Sequence, residues 1–204
     1  MTLQLAHAFL LLGQLDRMDA CLLWAVGNAG FPHVHDAGGG SNLWQVVQGA
    51  WNEQHNYTVA KDFSEVPKSW WYMGDIPHGW AAAEFLWLFR DILFFEADDD
   101  RDPQIFLAPG VMPHWLDSGS VITVRDAPTI FGDNFGYDLR HNPVTHTITI
   151  DIAQPITTSV RYQYPCRLGS GIRSVEVNGS PGVIVDRLAL APAGARQIKV
   201  EYIP

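Results

Sequence analysis

An abrupt change of composition near residue 98 divides the sequence into two parts. Seven of the eight tryptophans precede it, whereas the residues that follow are rich in Val, Ile, Thr, Pro and Gly. The join at 97–103, Ala-Asp-Asp-Asp-Arg-Asp-Pro, is typical of a solvated helix exit and linker, with a bound calcium ion as the alternative. The sequence therefore predicts a helical region at 1–97 and a second region at 98–204.

Apolar residues recur at helical spacing through the first region. Residues 3–12 are apolar on all sides, which predicts a buried helix, and the turn at 13–16 leads into a second helix at 18–26. A third helical pattern covers 43–51. The strongest helix is predicted at 80–96, because its apolar residues form one stripe: Phe85, Leu88, Phe89, Ile92 and Phe95.

Alternation with a period of two dominates the second region and predicts short β-strands. The predicted strands are 120–124, 145–151, 158–164, 172–177, 183–190 and 197–202. Turn signals at Asn178-Gly179 and Ala193-Gly194 separate the last three. Helices followed by evenly spaced strands indicate an α+β chain whose C-terminal region is an antiparallel β-sandwich.

Charge and apolar patterning exclude two classes of partner. The formal net charge is −9, and nucleic acid is not expected because phosphate binding needs clustered Lys and Arg. Since no run of eighteen apolar residues exists, no transmembrane span is expected either. The N-terminus lacks the features of a signal peptide and the two cysteines are expected to be reduced, so a cytoplasmic location is predicted.

The segment Gly74-Asp75-Ile76-Pro77-His78-Gly79-Trp80 carries the strongest functional signal. It places an acid and an imidazole beside several aromatic side chains, Trp70, Trp71 and Trp80 among them. Aromatic faces stack on sugar C–H groups and carboxylates bind hydroxyls, so this mixture predicts a carbohydrate site. The alternatives are that Asp75 only caps a helix and that His78 only satisfies a buried carbonyl.

Two further acids are candidates for catalysis together with Asp75. Glu84 lies within an otherwise apolar helix, where a carboxylate either pairs, with Arg90 or Arg125, or faces a cavity. Glu53 lies beside Trp51, and His55 follows as a candidate substrate-binding residue. Glycoside hydrolysis usually needs two carboxyl groups about 5–5.5 Å or 6.5–9.5 Å apart, so Glu53 with Asp75 or Glu84 is a possible catalytic pair.

No cofactor and no metal ion are predicted. His33, His35 and Asp36 are close enough in sequence to bind a metal, but no further pattern completes a tetrahedral set, so a solvated Gly-rich loop is the alternative. The glycines at 38–40 lack a preceding strand and a lysine, so they do not form a phosphate loop.

Several segments resemble bacterial six-hairpin glycosidases of the (α/α)6-toroid type, to which α-L-rhamnosidase-like enzymes belong. Residues 74–85 and 88–96 resemble the last helices of the toroid. In these enzymes a β-sandwich follows the toroid. Its start resembles the segments 107–111, 115–116 and 128–132, and one of its hairpins resembles the segment 175–179. The resemblance covers roughly residues 40–204 and implies a partial helical toroid followed by a β-sandwich.

The resemblance implies that the chain acts on carbohydrate. Because 204 residues are too few for a complete toroid, it implies the C-terminal part of such an enzyme or a reduced relative, and an exposed toroid face implies a homo-oligomer. Two functions remain open. One is a glycoside hydrolase that uses Glu53, Asp75 or Glu84, and the other is a non-catalytic carbohydrate-binding or assembly fragment of a larger glycosidase.

Overall fold

A computed structural model describes residues 2–28, 79–99, 101–117, 119–156 and 160–204. The chain divides into two compact units, Met1–Phe89 and Arg90–Pro204. The helices are α1 (Thr2–Leu11), α2 (Leu15–Asn28) and α3 (Gly79–Leu93), with a short 3-10 helix at Pro113–Trp115. The strands are β1 (Phe94–Ala97), β2 (Gln104–Leu107), β3 (Ile122–Pro128), β4 (Asn134–Asn142), β5 (Thr147–Gln154), β6 (Arg161–Pro165), β7 (Gly171–Val177), β8 (Ser180–Pro181), β9 (Val183–Val185), β10 (Leu188–Ala191) and β11 (Gln197–Ile203).

The predicted fold, a partial helical toroid followed by an antiparallel β-sandwich, is wrong. Within the described residues there are three α-helices and two β-sheets, and no helical toroid is present in those ranges. The helix predicted at 43–51 lies outside the described residues. Among the described residues, strands outnumber helices. The pairing of the second unit also extends back into residues 94–97, which were predicted to be helical.

The turn between α1 and α2 follows directly from a glycine. Gly13 has a φ of 68°, and its N–H donates to the carbonyl of Leu10, while the N–H of Gln14 donates to the carbonyl of Phe9. This pair of bonds caps the end of α1 in a Schellman motif. The prediction that this helix is buried on all sides is wrong, since Leu5 and Leu11 are exposed.

Helix α3 ends three residues before the predicted end at Glu96. Its last carbonyls are satisfied by the loop after β2, where the N–H groups of Ala108 and Gly110 donate to the carbonyls of Leu93 and Ile92. Residues 94–97 then pair with β2 as an antiparallel ladder. Long-range pairing therefore overrides a helical pattern that continues through Phe94 and Phe95.

Two sheets form the second unit. The first has the order β1-β2-β6-β10-β9, and the second has the order β3-β4-β5-β11-β7-β8. Strands β2 and β6 run parallel, so the first sheet is mixed, whereas all pairs of the second are antiparallel. The chain leaves the first sheet after β2, forms β3 to β5 in the second and then returns as β6. A long connection of this kind is what allows a parallel pair.

Buried aromatic rings join the two sheets. Phe135 of β4 stacks on Tyr162 of β6 with the ring centroids 5.7 Å apart, and it contacts Phe94 of β1 at 5.8 Å. All three side chains are buried. Along β5 the isoleucines at 148, 150 and 152 are buried, as the period of a strand with one face in the core requires.

Gly169 provides a test of backbone geometry. It has a φ of 58°, and a Cβ added there would lie 1.9 Å from the carbonyl oxygen of Ile203. Gly179 has a φ of 78° but open space around it. We expect Gly179→Ala to lower the free energy of unfolding by about 1–2 kcal/mol, the cost of the left-handed conformation. Gly169→Ala should cost at least about 1 kcal/mol more because the backbone must also move. Equal losses of unfolding free energy in the two variants, measured by urea denaturation, would contradict the predicted clash at Gly169.

Buried tyrosines make the stability dependent on high pH. Burial raises the pKa of Tyr137, Tyr162 and Tyr164, and also that of Tyr202. A raised folded-state pKa contributes stability below the unfolded pKa of about 10, and that stability is lost as pH rises toward the folded value. Above pH ~10 we expect the free energy of unfolding to fall by about 1.4 kcal/mol per pH unit for each tyrosine that ionises only on unfolding. Urea titrations over this range measure the slope, which Tyr137→Phe should reduce; a flat profile contradicts the prediction.

Candidate functional site

Most of the residues predicted to form the site lie outside the described structure. These are Asp75, Glu53, His78, Trp70, Trp71 and His55. Trp80 belongs to the first turn of α3, but its side chain also lies outside the description. Glu84 is the predicted site residue whose surroundings the structure describes. The histidines and aspartate of the 33–36 loop are outside it as well.

Glu84 belongs to a surface cluster that two helices of the first unit build. The Nε2 of Gln4 donates a hydrogen bond to the Oε1 of Glu84 at 3.1 Å. The ring of His7 meets the indole of Trp87 in a T-shaped contact with the centroids 4.9 Å apart. We call these four residues, Gln4, His7, Glu84 and Trp87, the helical patch.

Helical spacing explains why the helical patch forms. Gln4 and His7 are three residues apart on α1, and Glu84 and Trp87 are three residues apart on α3, so each pair lies on one face of its helix. Because Gln4 meets Glu84 and His7 meets Trp87, the two contacts succeed each other in the same order along both helices. The result is an amide, an imidazole, a carboxylate and an indole within one small area.

The helical patch is open to solvent on its aromatic side. Trp87 is 56% exposed, Gln4 is exposed, and His7 and Glu84 are half-buried. More than half of the Trp87 surface is therefore available for contact, while the carboxylate and the amide offer hydrogen-bond acceptors and donors near it. Gln4, His7 and Trp87 were not predicted as site residues. The contacts that join them to Glu84 or to each other connect distant parts of the chain, and local sequence patterns do not reveal such contacts.

The two arginines considered as partners of Glu84 form ion pairs in the second unit. Arg90 pairs with Asp91, at 3.4 Å, and with Glu96, and its guanidinium lies 4.3 Å from the centroid of the Phe94 ring. Both carboxylate side chains are only 4% exposed. Arg90 also donates to the carbonyl of Pro128. The arrangement is an ion-pair cluster with buried carboxylates that fastens the end of α3 to the end of β3.

Ion pairs also engage five other carboxylates among the described residues of the second unit. Arg125 pairs with Asp138 at 2.8 Å, and a hydrogen bond from Thr123 is the largest cause that holds the pKa of Asp138 low. Arg173 pairs with Glu201 at 2.7 Å and lowers the pKa of that carboxyl. The further pairs are Arg140 with Asp138 and Asp151, Arg161 with Asp102, and Lys199 with Glu176. Asp138 and Glu201, whose lowered pKa values favour the charged form, are poor proton donors at neutral pH.

A second group of titratable side chains lies around Tyr202. The hydroxyl of Tyr202 is 2.9 Å from the Nε2 of His141. The ring of His146 makes a T-shaped contact with the ring of Tyr202, with the centroids 5.5 Å apart. The Nδ1 of His141 lies 3.3 Å from the carbonyl oxygen of Leu116, which can only accept. The Nδ1 therefore carries a proton, and in the neutral ring Nε2 accepts from the tyrosine. Since these polar atoms satisfy one another, this group anchors the 3-10 helix segment to β4.

The described ranges contain neither a metal-binding cluster nor a membrane-spanning helix. No group of three or more His, Cys, Asp or Glu side chains there is arranged to hold a metal ion. None of the described helices is long and apolar enough to cross a membrane.

Comparisons with known proteins identify no relative. No protein-family model matches the chain. Searches of curated proteins and of solved structures likewise return no significant match. The resemblance to six-hairpin glycosidases is therefore wrong: the described part of the chain lacks the toroid that defines those enzymes, and no family model supports it.

The aromatic contact of the helical patch can be measured by a double-mutant cycle. We expect His7→Ala and Trp87→Ala to be coupled by about 0.5–1.5 kcal/mol in the free energy of unfolding, the usual range for paired rings. Leu86→Ala provides the control, because Leu86 is 68% exposed on the same helix and is not part of the ring contact between His7 and Trp87. A coupling of His7 to Trp87 no larger than its coupling to Leu86 would contradict the contact.

Proposed function

We propose that the protein binds carbohydrate without cleaving it, and that the helical patch contributes to the binding surface. The observation that carries the proposal is the position of the exposed Trp87 indole three residues from Glu84, with the Gln4 amide hydrogen-bonded to that carboxylate. An indole face offers an apolar platform to the C–H groups of a pyranose ring. The carboxylate and the amide beside it suit the hydroxyl groups at the edge of the same ring.

The neighbouring sequence supports the same proposal. Helix α3 begins at Gly79, within the acidic and aromatic segment Gly74–Trp80 of the sequence. Further contacts from Asp75, His78 and Trp80 remain predictions, because their side chains lie outside the description. Tryptophan, the residue type best suited to stacking on sugars, is concentrated in this half of the chain.

The second unit is proposed as a non-catalytic scaffold. General acid catalysis at neutral pH needs a carboxyl group with a raised pKa. Asp138 and Glu201 have lowered pKa values, since hydrogen bonds from Thr123 and Arg173 stabilise their charged forms. Buried aromatic packing and ion pairs are prominent among the described contacts of this unit, which favours a structural role.

Glycoside hydrolysis is the second candidate function. Glu84 is the observation that favours it, because a half-buried carboxylate beside an indole is a feature of sugar-cleaving sites. Hydrolysis requires two carboxyl groups, and the helical patch supplies a single one, that of Glu84. The partners predicted for Glu84, namely Asp75 and Glu53, lie outside the described residues.

Substitutions in the helical patch should weaken sugar binding. We expect Trp87→Ala to lower the affinity for a bound sugar by about tenfold or more, which corresponds to about 1.4 kcal/mol. Leu86→Ala should leave the affinity unchanged, because its side chain lies outside the helical patch. Calorimetric titration with glucose, galactose, mannose and rhamnose measures both. No binding of any sugar by the wild-type protein, or equal affinity in Trp87→Ala, would contradict the proposal.

Turnover separates the two candidate functions. Under the binding proposal, the wild-type protein releases no nitrophenol from a panel of nitrophenyl glycosides beyond the rate of a protein-free blank. Release by the wild type that Glu84→Gln abolishes would establish hydrolysis instead. The circular dichroism spectrum of Glu84→Gln serves as the control for folding.

A further inference from the structure

Two arginines lie together at adjoining strand ends of the second unit. Strands β6 and β10 pair antiparallel up to Pro165 and Leu188, and the N–H of Cys166 then donates to the carbonyl of Arg187 at 2.9 Å. Arg167 follows in the next position. The register therefore places Arg167 and Arg187 at the same end of the first sheet.

The Arg187 side chain is held in place by the loop that follows β6. Its Nε donates to the carbonyl of Cys166 and its Nη2 donates to the carbonyls of Leu168 and Gly169, each at 3.1 Å. The Nη1 takes part in none of these bonds. One edge of a fixed guanidinium is thus left for another acceptor.

The loop itself is firmly positioned. The N–H of Ser170 donates to the carbonyl of Ile203 at 2.7 Å, and Gly169 passes so close to that carbonyl that no side chain fits. A site built on this loop is arranged before any ligand arrives, so ordering it costs little on binding.

Within the described ranges, no carboxylate forms an ion pair with either arginine. Other arginines of this unit pair with carboxylates, as Arg90, Arg125 and Arg173 do, whereas no ion pair is recorded for Arg167 or Arg187 across the described ranges. Burial of the Arg167 guanidinium lowers its pKa, and the Arg187 charge lowers it further. Two neighbouring cations repel each other, and a bound anion would relieve this repulsion.

We propose that Arg167 and Arg187 form a binding site for an oxyanion, a phosphate or carboxylate group carried by a small molecule. Guanidinium groups donate pairs of parallel hydrogen bonds that match the oxygens of both groups. Arg187 supplies a fixed direction and Arg167 supplies the second charge. The site lies in the second unit and is independent of sugar binding by the helical patch.

Titration with inorganic phosphate tests the site. At constant ionic strength, maintained with sodium chloride, we expect saturable shifts of the Gly169 and Ser170 amide resonances. Arg167→Gln should weaken the affinity by about tenfold or more, the effect of losing a charged hydrogen-bond donor. Arg167 is chosen because Arg187→Gln would also release three backbone carbonyls of the loop.

Arg196→Gln provides the matched control. It removes the same charge from an exposed position whose side chain makes no hydrogen bond or ion pair with another described residue, so phosphate affinity should stay at the wild-type value. Acetate, titrated in parallel, separates a preference for carboxylate from a preference for phosphate. Saturation by neither anion, or equal affinity in the wild type and Arg167→Gln, would overturn the proposal.

Discussion

The contact between the two sheets rests on a small set of buried aromatic rings. Phe135 stacks on Tyr162 and contacts Phe94, and the hydroxyl of the adjacent Tyr137 donates to the carbonyl of Leu93 at 2.6 Å. These contacts connect β1, β4 and β6 with the end of α3. Each large buried side chain contributes about 1.5–3 kcal/mol, and the hydroxyl is a second donor to a helix carbonyl that also accepts from the N–H of Ala108. The register of both sheets and the exit of the helix therefore depend on the same cluster.

Local patterns predicted the strands that alternate clearly and missed those that depend on distant partners. The pattern at 145–151 falls on β5, whose isoleucines face the core. Strand β1 was predicted as helix because Phe94 and Phe95 continue a helical stripe, and only pairing with β2 makes them a strand. Strand β4 was missed although Phe135 and Leu139 alternate, since Gly136 and the polar residues between them obscure the period. The toroid was inferred from short resembling segments, which do not determine how helices assemble.

The helical patch illustrates a similar limit for function. Glu84 was recognised from sequence because a carboxylate inside an apolar helix requires an explanation. Its hydrogen-bond donor, Gln4, lies eighty residues earlier in the chain, so no local pattern connects the two. The spacing of Gln4 with His7, and of Glu84 with Trp87, was visible in the sequence, but it indicates a common face without identifying which faces meet. Predicting the cluster thus required the tertiary arrangement of the first unit.

The parallel pair of β2 and β6 has a consequence for how the second unit folds. Gln104 pairs with Arg161, so closing this contact means ordering a long intervening segment that itself belongs to the other sheet. Loop-closure entropy opposes such contacts until the segment is already compact. Hairpins such as β4 with β5 can form early from neighbouring residues, whereas the first sheet must wait for them. A high contact order of this kind places the unit among slowly folding β proteins, and its first sheet is expected to be the last part to become protected from hydrogen exchange.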